Sequence, residues 1–203
     1  MDVIFDYEKS TMLKVVELFY SIQGEGTQTG VPCIFIRLHG CNLSCHFCDE
    51  GLHKGAYESL SFEALLEKIS LYPSKYVVIT GGEPSLYELN TFIGFLQAKG
   101  YFVAVETNGY CFENIAQANW ITYSPKNWDK IATKGYSEVK FIVDQNACVE
   151  KIVAFKSDKP LFIQPENEKD KPNSENVAFC INFVKKNPRF ILSVQLHKFL
   201  GVE

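Results

Sequence analysis

Three cysteines fall within eight residues, Cys41, Cys45 and Cys48, in the spacing Cys-x-x-x-Cys-x-x-Cys. Three soft thiolate ligands on one short stretch suggest a metal site. The remaining cysteines, Cys33, Cys111, Cys148 and Cys180, are scattered through apolar or helical surroundings. An odd total of seven with this distribution is not a disulfide scaffold, and a reducing compartment would keep the clustered thiols free for metal. On spacing alone two centres stay open: a 4Fe-4S cluster, or a tetrahedral zinc completed by His39 or His46. No second cysteine pair at finger spacing supports zinc, and the chain is large enough not to need a metal staple. A cluster held by three cysteines has one iron without a protein ligand, open to a cofactor.

Other polar groups interrupt apolar runs. Two glycines flank a carboxylate in Ser21-Ile22-Gln23-Gly24-Glu25-Gly26, where the backbone could approach a ligand closely or simply turn. Arg37 is a cation in the apolar run 33–39 and needs either a protein carboxylate or an anionic ligand as partner.

These residues must be held by a scaffold. The hydrophobic pattern predicts strands over 13–20, 33–39, 76–79, 101–105, 120–123, 138–143, 161–164 and 190–196. Helices are expected over 62–69 with Ser61 as N-cap, over 89–96 with Gly100 as the stop, and over 146–156 and 175–187. Alternating strands and helices argue for an α/β fold with a mainly parallel sheet buried on both faces. The cysteine loop and the segments Thr80-Gly81-Gly82-Glu83, Glu106-Thr107-Asn108, Ser124-Pro125-Lys126 and Gln164-Pro165-Glu166 all follow predicted strands. Ligands of parallel sheets bind at the carboxyl ends of strands, so these five polar segments belong on one rim. The charged stretch 166–175 reads as a surface loop.

The 203 residues, 46% hydrophobic and 22% charged, suit one globular domain spanning 1–203. A net charge of −4 and a pI near 5.6 give no basic face for nucleic acid, and a small polar ligand is the expected partner. No apolar run has the length of a signal or a membrane span, which predicts a cytoplasmic location with no membrane partner.

The cysteine triplet, with Phe47 before its last member and Gly81-Gly82-Glu83-Pro84 downstream, resembles the radical S-adenosylmethionine (SAM) superfamily. The resemblance implies a partial (βα) barrel in which the open iron chelates the amino and carboxylate groups of SAM, and reductive cleavage gives a 5′-deoxyadenosyl radical. It places Phe47 near the adenine, Gly82 and Glu83 near the methionine ammonium and Asp49 near the cofactor. Over nearly the whole length, Phe19 to Gly26, Arg37, Cys41 to Asp49, Thr80 to Pro84, Glu106 to Gly109, Ser124 to Lys126, Gln164-Pro165 and Gln195-x-His197-Lys198-x-Leu200 resemble the 7-carboxy-7-deazaguanine synthase family. That family converts 6-carboxy-5,6,7,8-tetrahydropterin to 7-carboxy-7-deazaguanine with release of ammonia, in queuosine-type biosynthesis. The resemblance implies hydrogen abstraction from C6 of the pterin, a magnesium-assisted ring contraction, return of the hydrogen with SAM regenerated, an electron donor such as flavodoxin or ferredoxin, and a homodimer.

Residue roles follow from it. Ser124, Pro125, Lys126 and Gln164 would hold SAM; Ile22, Gln23, Gly24, Glu25, Thr80, Glu106, Asn108 and His197 would meet the pterin, with Arg37 on its carboxylate and the terminal carboxylate of Glu203 reaching the site. The sequence departs from the family where threonine usually ligates magnesium, because that position is Glu50. A carboxylate is a good ligand for a hard cation, but it is longer and anionic, so retained but altered Mg²⁺ dependence is expected. The competing functions are a glycyl-radical-enzyme activase, which shares the cysteine spacing, and a zinc-stabilised non-enzymatic module.

Overall fold

The computed structural model describes residues 11–48, 51–168 and 171–202. Asp49, Glu50 and Glu203, each given a role above, lie outside them. The strands are β1 (Met12–Ile22), β2 (Pro32–Leu38), β3 (Glu58–Ser61), β4 (Tyr76–Gly81), β5 (Phe102–Thr107), β6 (Trp120–Tyr123), β7 (Glu138–Val143), β8 (Leu161–Pro165) and β9 (Phe190–Leu192). The helices are α1 (Phe62–Ser70), α2 (Asn90–Ala98), α3 (Val149–Ala154), α4 (Ser174–Lys186) and α5 (Leu196–Leu200). The strands form one nine-stranded sheet in the order β3-β1-β2-β4-β5-β6-β7-β8-β9. From β2 to β9 every pairing is parallel, while β1 pairs antiparallel with both β2 and β3. The sheet is an unclosed, partial barrel of mainly parallel strands.

Local chemistry explains the helices. The Ser61 side chain accepts from the Ala64 amide at 3.2 Å and caps α1. Asn173 caps α4, accepting from the amides of Glu175 and Asn176. Gly100, in the left-handed region, ends α2.

Side chains alternate across each strand, so the sheet sorts its residues into two faces. One face carries Ile34, Ile36, Leu38, Val77, Ile79, Val103, Val105, Ile121, Val139, Phe141, Leu161 and Ile163, packed with Leu65, Ile69, Phe92, Leu96 and Phe183 of the helices. On the other, Cys33, Val78 and Ala104 form a smaller apolar floor with Phe35, Tyr76 and Trp120. Two residues further along those strands this inner face turns polar, with Arg37, Thr80, Glu106 and Thr122. Register carries the polar row sideways, since Arg37 lies beside Thr80, Glu106 beside Thr122, and Thr122 beside Glu138.

Two differences from the sequence reading matter. Strand β3 was not expected; it is a short antiparallel edge. The expected strand over 190–196 stops at Leu192. There the chain leaves the sheet: the Ser193 hydroxyl donates to Gln164 Oε1 at 2.9 Å, and the Leu196 amide donates to the Gly24 carbonyl at 3.0 Å, starting α5.

That last bond shows what substitutes for closure of the barrel. The β1–β2 hairpin projects from the amino end of β2, opposite the rim that bears the cysteine loop, and bends in across the concave face. Its Thr27 amide donates to Glu138 Oε2 at 3.0 Å, its Gly26 amide to Ser193 Oγ at 3.2 Å, and Gln23 Nε2 to Glu106 Oε1 at 3.3 Å. Gly26 has φ +66°, and a Cβ there would overlap the Glu138 carboxylate. Gly26→Ala should therefore unseat the hairpin. The left-handed conformation alone costs a non-glycine residue about 1–2 kcal/mol; thermal unfolding should show a midpoint lowered by roughly 2–8 °C.

Candidate functional site

Parallel pairing from β2 to β9 puts the ends of the strands on one rim, and the cysteine loop is moored to its neighbours there. The Glu83 amide donates to the Gly40 carbonyl at 2.8 Å, the Gly82 amide to the Leu38 carbonyl at 3.2 Å, and Tyr87 Oη to the His39 carbonyl at 2.8 Å. Asn108 Nδ2 donates to Asn42 Oδ1 at 2.9 Å, joining the loop to the end of β5. Across the rim, His46 Nε2 lies 3.7 Å from Glu166 Oε1 after β8. A Cβ on Gly82 would overlap the Gly40 carbonyl, so glycine is needed for the loops to approach this closely.

Glu83 binds the rim together. It is 1% exposed. Its Oε1 accepts from the Ser85 amide (2.9 Å), Ser85 Oγ (2.7 Å) and Thr107 Oγ1 (2.6 Å), and its Oε2 accepts from the Asn108 amide at 2.6 Å. Both oxygens already have donors within the protein, and the single donor on Oε2 leaves that oxygen a lone pair for a further one, such as the ammonium expected here. Glu83 is a strut between the loops after β4 and β5.

Cys41, Cys45 and Cys48 are free thiols, the first two half-buried and the third exposed. The Leu43 amide donates to Cys41 Sγ at 3.4 Å, the kind of bond that stabilises a cluster-ligating thiolate. Burial pushes the Cys41 thiol up, so a bound metal would have to supply the energy of its deprotonation. Among the described residues no group of three or more His, Cys, Asp or Glu is placed to hold a single metal ion. The donor set, its amide and the glycine-lined approach fit a cluster bridged by three thiols.

Beside the loop, Lys126 Nζ lies 5.4 Å from the centre of the Phe47 ring and donates to Ser124 Oγ at 2.6 Å. Burial, reinforced by the cation of Lys140, lowers Lys126 to about 8. Ser124 Oγ donates in turn to the Lys140 carbonyl at 3.1 Å. Phe47, Ser124 and Lys126 are thus brought together; Pro125 follows Ser124 on the same turn. Gln164 is buried, its Oε1 engaged by Ser193.

Deeper on the concave face lies a charge cluster. Lys140 Nζ donates to Glu25 Oε2 and to Glu106 Oε2, the latter at 3.0 Å. Side-chain exposure is 5% for Lys140, 14% for Glu25 and 20% for Glu106. Burial favours the neutral forms, but on Glu25 it is outweighed by Lys140, helped by Gln195 and His197, which hold that carboxyl at about 2. For Glu106 burial prevails and pushes the carboxyl up, with Lys140 opposing and Glu25 adding to the rise. On Lys140 burial is overcome by Glu106 and Glu25, and the ammonium is held above its ordinary range.

Of the residues expected at a substrate, Gln23, Gly24, Glu25, Glu106 and His197 converge here. A Cβ on Gly24 would overlap the His197 ring. Ile22 is half-buried where the hairpin leaves β1, Thr80 is half-buried on the polar row, and Asn108 is held at the rim. Arg37 takes the protein-carboxylate alternative: its Nε donates to Glu17 Oε2 at 2.9 Å, and its guanidinium lies 5.8 Å from the Phe19 ring centre. Glu17, Thr122, Glu138, Lys140 and Ser193 were missed. The signal for two of them was available, since Glu138 and Lys140 are charges two apart in an otherwise apolar strand and must share a face.

Comparison with known proteins agrees with this architecture. Residues 35–153 match the model of the Radical SAM superfamily. Over 194 residues the chain is 35% identical to the 7-carboxy-7-deazaguanine synthase of Bacteroides thetaiotaomicron, covering 94% of this chain and 99% of that protein. It is 33% identical to the enzyme of the same name from Haemophilus influenzae, covering 100% and 99%. Among solved structures, QueE from Escherichia coli superposes with a TM-score of 0.75 at 28% identity, covering 94% of this chain and 97% of that one. The chain belongs to the radical SAM superfamily. Within it, the chain belongs to the 7-carboxy-7-deazaguanine synthase family, which sets aside the zinc module.

The rim gives a test. Gly82→Ala forces a methyl group against backbone at Gly40, which cannot move as a side chain could. Iron and sulfide per chain after anaerobic reconstitution should fall well below wild type. Gly51→Ala, with nothing within 4 Å of its added Cβ, should keep both.

Proposed function

We propose that the chain converts 6-carboxy-5,6,7,8-tetrahydropterin to 7-carboxy-7-deazaguanine with release of ammonia, acting as one domain over 1–203. The observation that carries this reading is the convergence of Gln23, Glu25, Glu106 and Lys140 on the concave face, below a rim that moors three free cysteines. Full-length relatives named for this product support it.

Cys41, Cys45 and Cys48 would hold a 4Fe-4S cluster, which with SAM supplies a 5′-deoxyadenosyl radical for hydrogen abstraction. Ser124 and Lys126 would orient SAM through its oxygens, with Phe47 against the adenine. The pterin presents N–H donors on its 2-amino-4-oxo edge. Carboxylates at Glu25 and Glu106 are suited to accept from them, and the Gln23 amide and Thr80 hydroxyl can pair with either donors or acceptors. Gly24 lets His197 close over the hairpin, and the buried apolar floor of Cys33, Val78 and Ala104 excludes water from beneath the ring. Arg37, paired with Glu17, is suited by its guanidinium fork to the substrate carboxylate. The glycyl-radical activase gains no support, because the full-length relatives at 33–35% identity are named for the deazaguanine product.

Further parts of the reading are a Mg²⁺ ion bound near Glu50, a flavodoxin- or ferredoxin-like reductant, a homodimer and a cytoplasmic location. No helix among the described residues is long and apolar enough to cross a membrane.

Protein reconstituted anaerobically, given the carboxytetrahydropterin, SAM and a reductant, should yield the deazaguanine and ammonia with SAM recovered. No product from a protein that cleaves SAM would overturn the assignment. Activity titrated with Mg²⁺ should differ between wild type and Glu50→Thr, because a carboxylate and a hydroxyl bind the ion with different strength. Superimposable titrations would remove Glu50 from the metal site.

A further inference from the structure

The buried cation at Lys140 has no part in hydrogen abstraction or in holding SAM, yet it is placed where the substrate's donor edge is expected. It is fixed from below by its strand, where its neighbour on the same face, Glu138, holds the Thr27 amide. From across the concave face the hairpin brings Glu25, and from β5 comes Glu106, whose other oxygen accepts from Gln23. A lone lysine at this depth would not be retained as a cation, and two carboxylates this close would not both ionise without it. The three charges therefore exist as a unit, with one carboxylate's worth of negative charge in excess.

We propose that Lys140 is a positioning residue for the reaction, fixing Glu25 and Glu106 as a pair of ionised acceptors for the N–H groups of the substrate's 2-aminopyrimidinone ring. This rests on the function proposed above. Each carboxylate has one oxygen on Lys140; Glu106 Oε1 also accepts from Gln23 and Glu25 from Gln195, and the second lone pairs of these oxygens remain as acceptor sites. The ammonium sets both the spacing of the pair and its charge. Without it the pair would share a proton, and the protonated member would present a donor to a donor edge.

The groups that face this unit are Glu138 on β7, Lys126 after β6, Cys33 on β2, Tyr76 on β4, and Gln195 and His197 at the start of α5. All remain in a Lys140 variant; Lys140→Arg keeps a cation beside them, whereas Lys140→Met removes one that lowers Lys126, so Lys126 rises in that variant and its own loss of charge moves to higher pH. Removing the cation raises the carboxyl that takes the proton. Below that value the acceptor is lost and affinity is low; as pH rises through it, affinity is regained. Relative to wild type, the affinity of Lys140→Met for the pterin should therefore climb with pH above the ordinary carboxylate range, approaching the limit of about tenfold per pH unit that one ionisation allows.

The measurement is the dissociation constant of 6-carboxy-5,6,7,8-tetrahydropterin as a function of pH, on reconstituted holoenzyme with SAM and without reductant. Lys140→Arg should follow the wild-type profile. Lys140→Gln, which fills the site without charge, serves if the methionine variant does not fold. A purely structural ion pair predicts a lower melting temperature with profiles parallel to wild type, and that result overturns the proposal. The function itself fails separately, if wild-type holoenzyme binds the pterin and cleaves SAM but forms no deazaguanine.

Discussion

The concave face depends on an ammonium group buried between two carboxylates. Desolvating an ion costs several kcal/mol even after relaxation, and the penalty is offset only where partners are close and well oriented. For Lys140 those partners come from two directions, Glu106 from the sheet and Glu25 from the hairpin. The pairing has an architectural consequence. Glu25 can reach Lys140 only if the β1–β2 hairpin lies over the open side of the sheet, so the ion pair and the hairpin's backbone bonds to Glu138, Ser193 and Leu196 require the same placement. A barrel that does not close through strands is bridged by a turn held with charge and hydrogen bonds.

The rim follows a different logic. There the main task is close approach of backbones rather than neutralisation of charge. Gly82 admits Gly40, and Glu83 gathers the amides and hydroxyls of Ser85, Thr107 and Asn108. A buried carboxylate that accepts several hydrogen bonds is stable without a cation. The Gly-Gly-Glu run therefore acts as masonry that sets where the cysteine loop stands.

Much of this was legible in the residues. The parallel sheet, the rim segments and the cysteine loop follow from period and spacing, because strand ends with polar residues after apolar runs must gather on one side of a parallel sheet. What was not legible depended on contacts far apart in sequence. Strand β3 is short and polar, carries little apolar signal, and exists because Glu58 to Ser61 pair with Val15 to Met12. The turn to α5 is dictated by Gly24, more than 170 residues away. Arg37 left two partners open, and only register with Glu17 shows that a protein carboxylate is one of them. Lys140 was visible as a charge in a buried strand, but a single charge names no partner.

The two halves of the site meet at Ser124, whose hydroxyl takes a proton from Lys126 into hydrogen bonding while donating its own to the Lys140 carbonyl. The two lysines share an interior but not its anions. Lys140 has Glu25 and Glu106 in direct contact; Lys126 has a hydroxyl and an aromatic face. Burial and the neighbouring cation together lower it to about 8, so near neutral pH its charge is the least stabilised in the site. An oxygen-bearing anion arriving beside Phe47 would relieve both effects at once, by supplying the missing counter-charge and screening Lys126 from Lys140. The same ligand at Lys140 would gain far less, since that ammonium already donates to two carboxylates and faces an excess of negative charge. The charge distribution therefore separates the two ligands without a wall between them: anionic oxygens are favoured at the rim, and N–H donors on the floor side of Glu25 and Glu106.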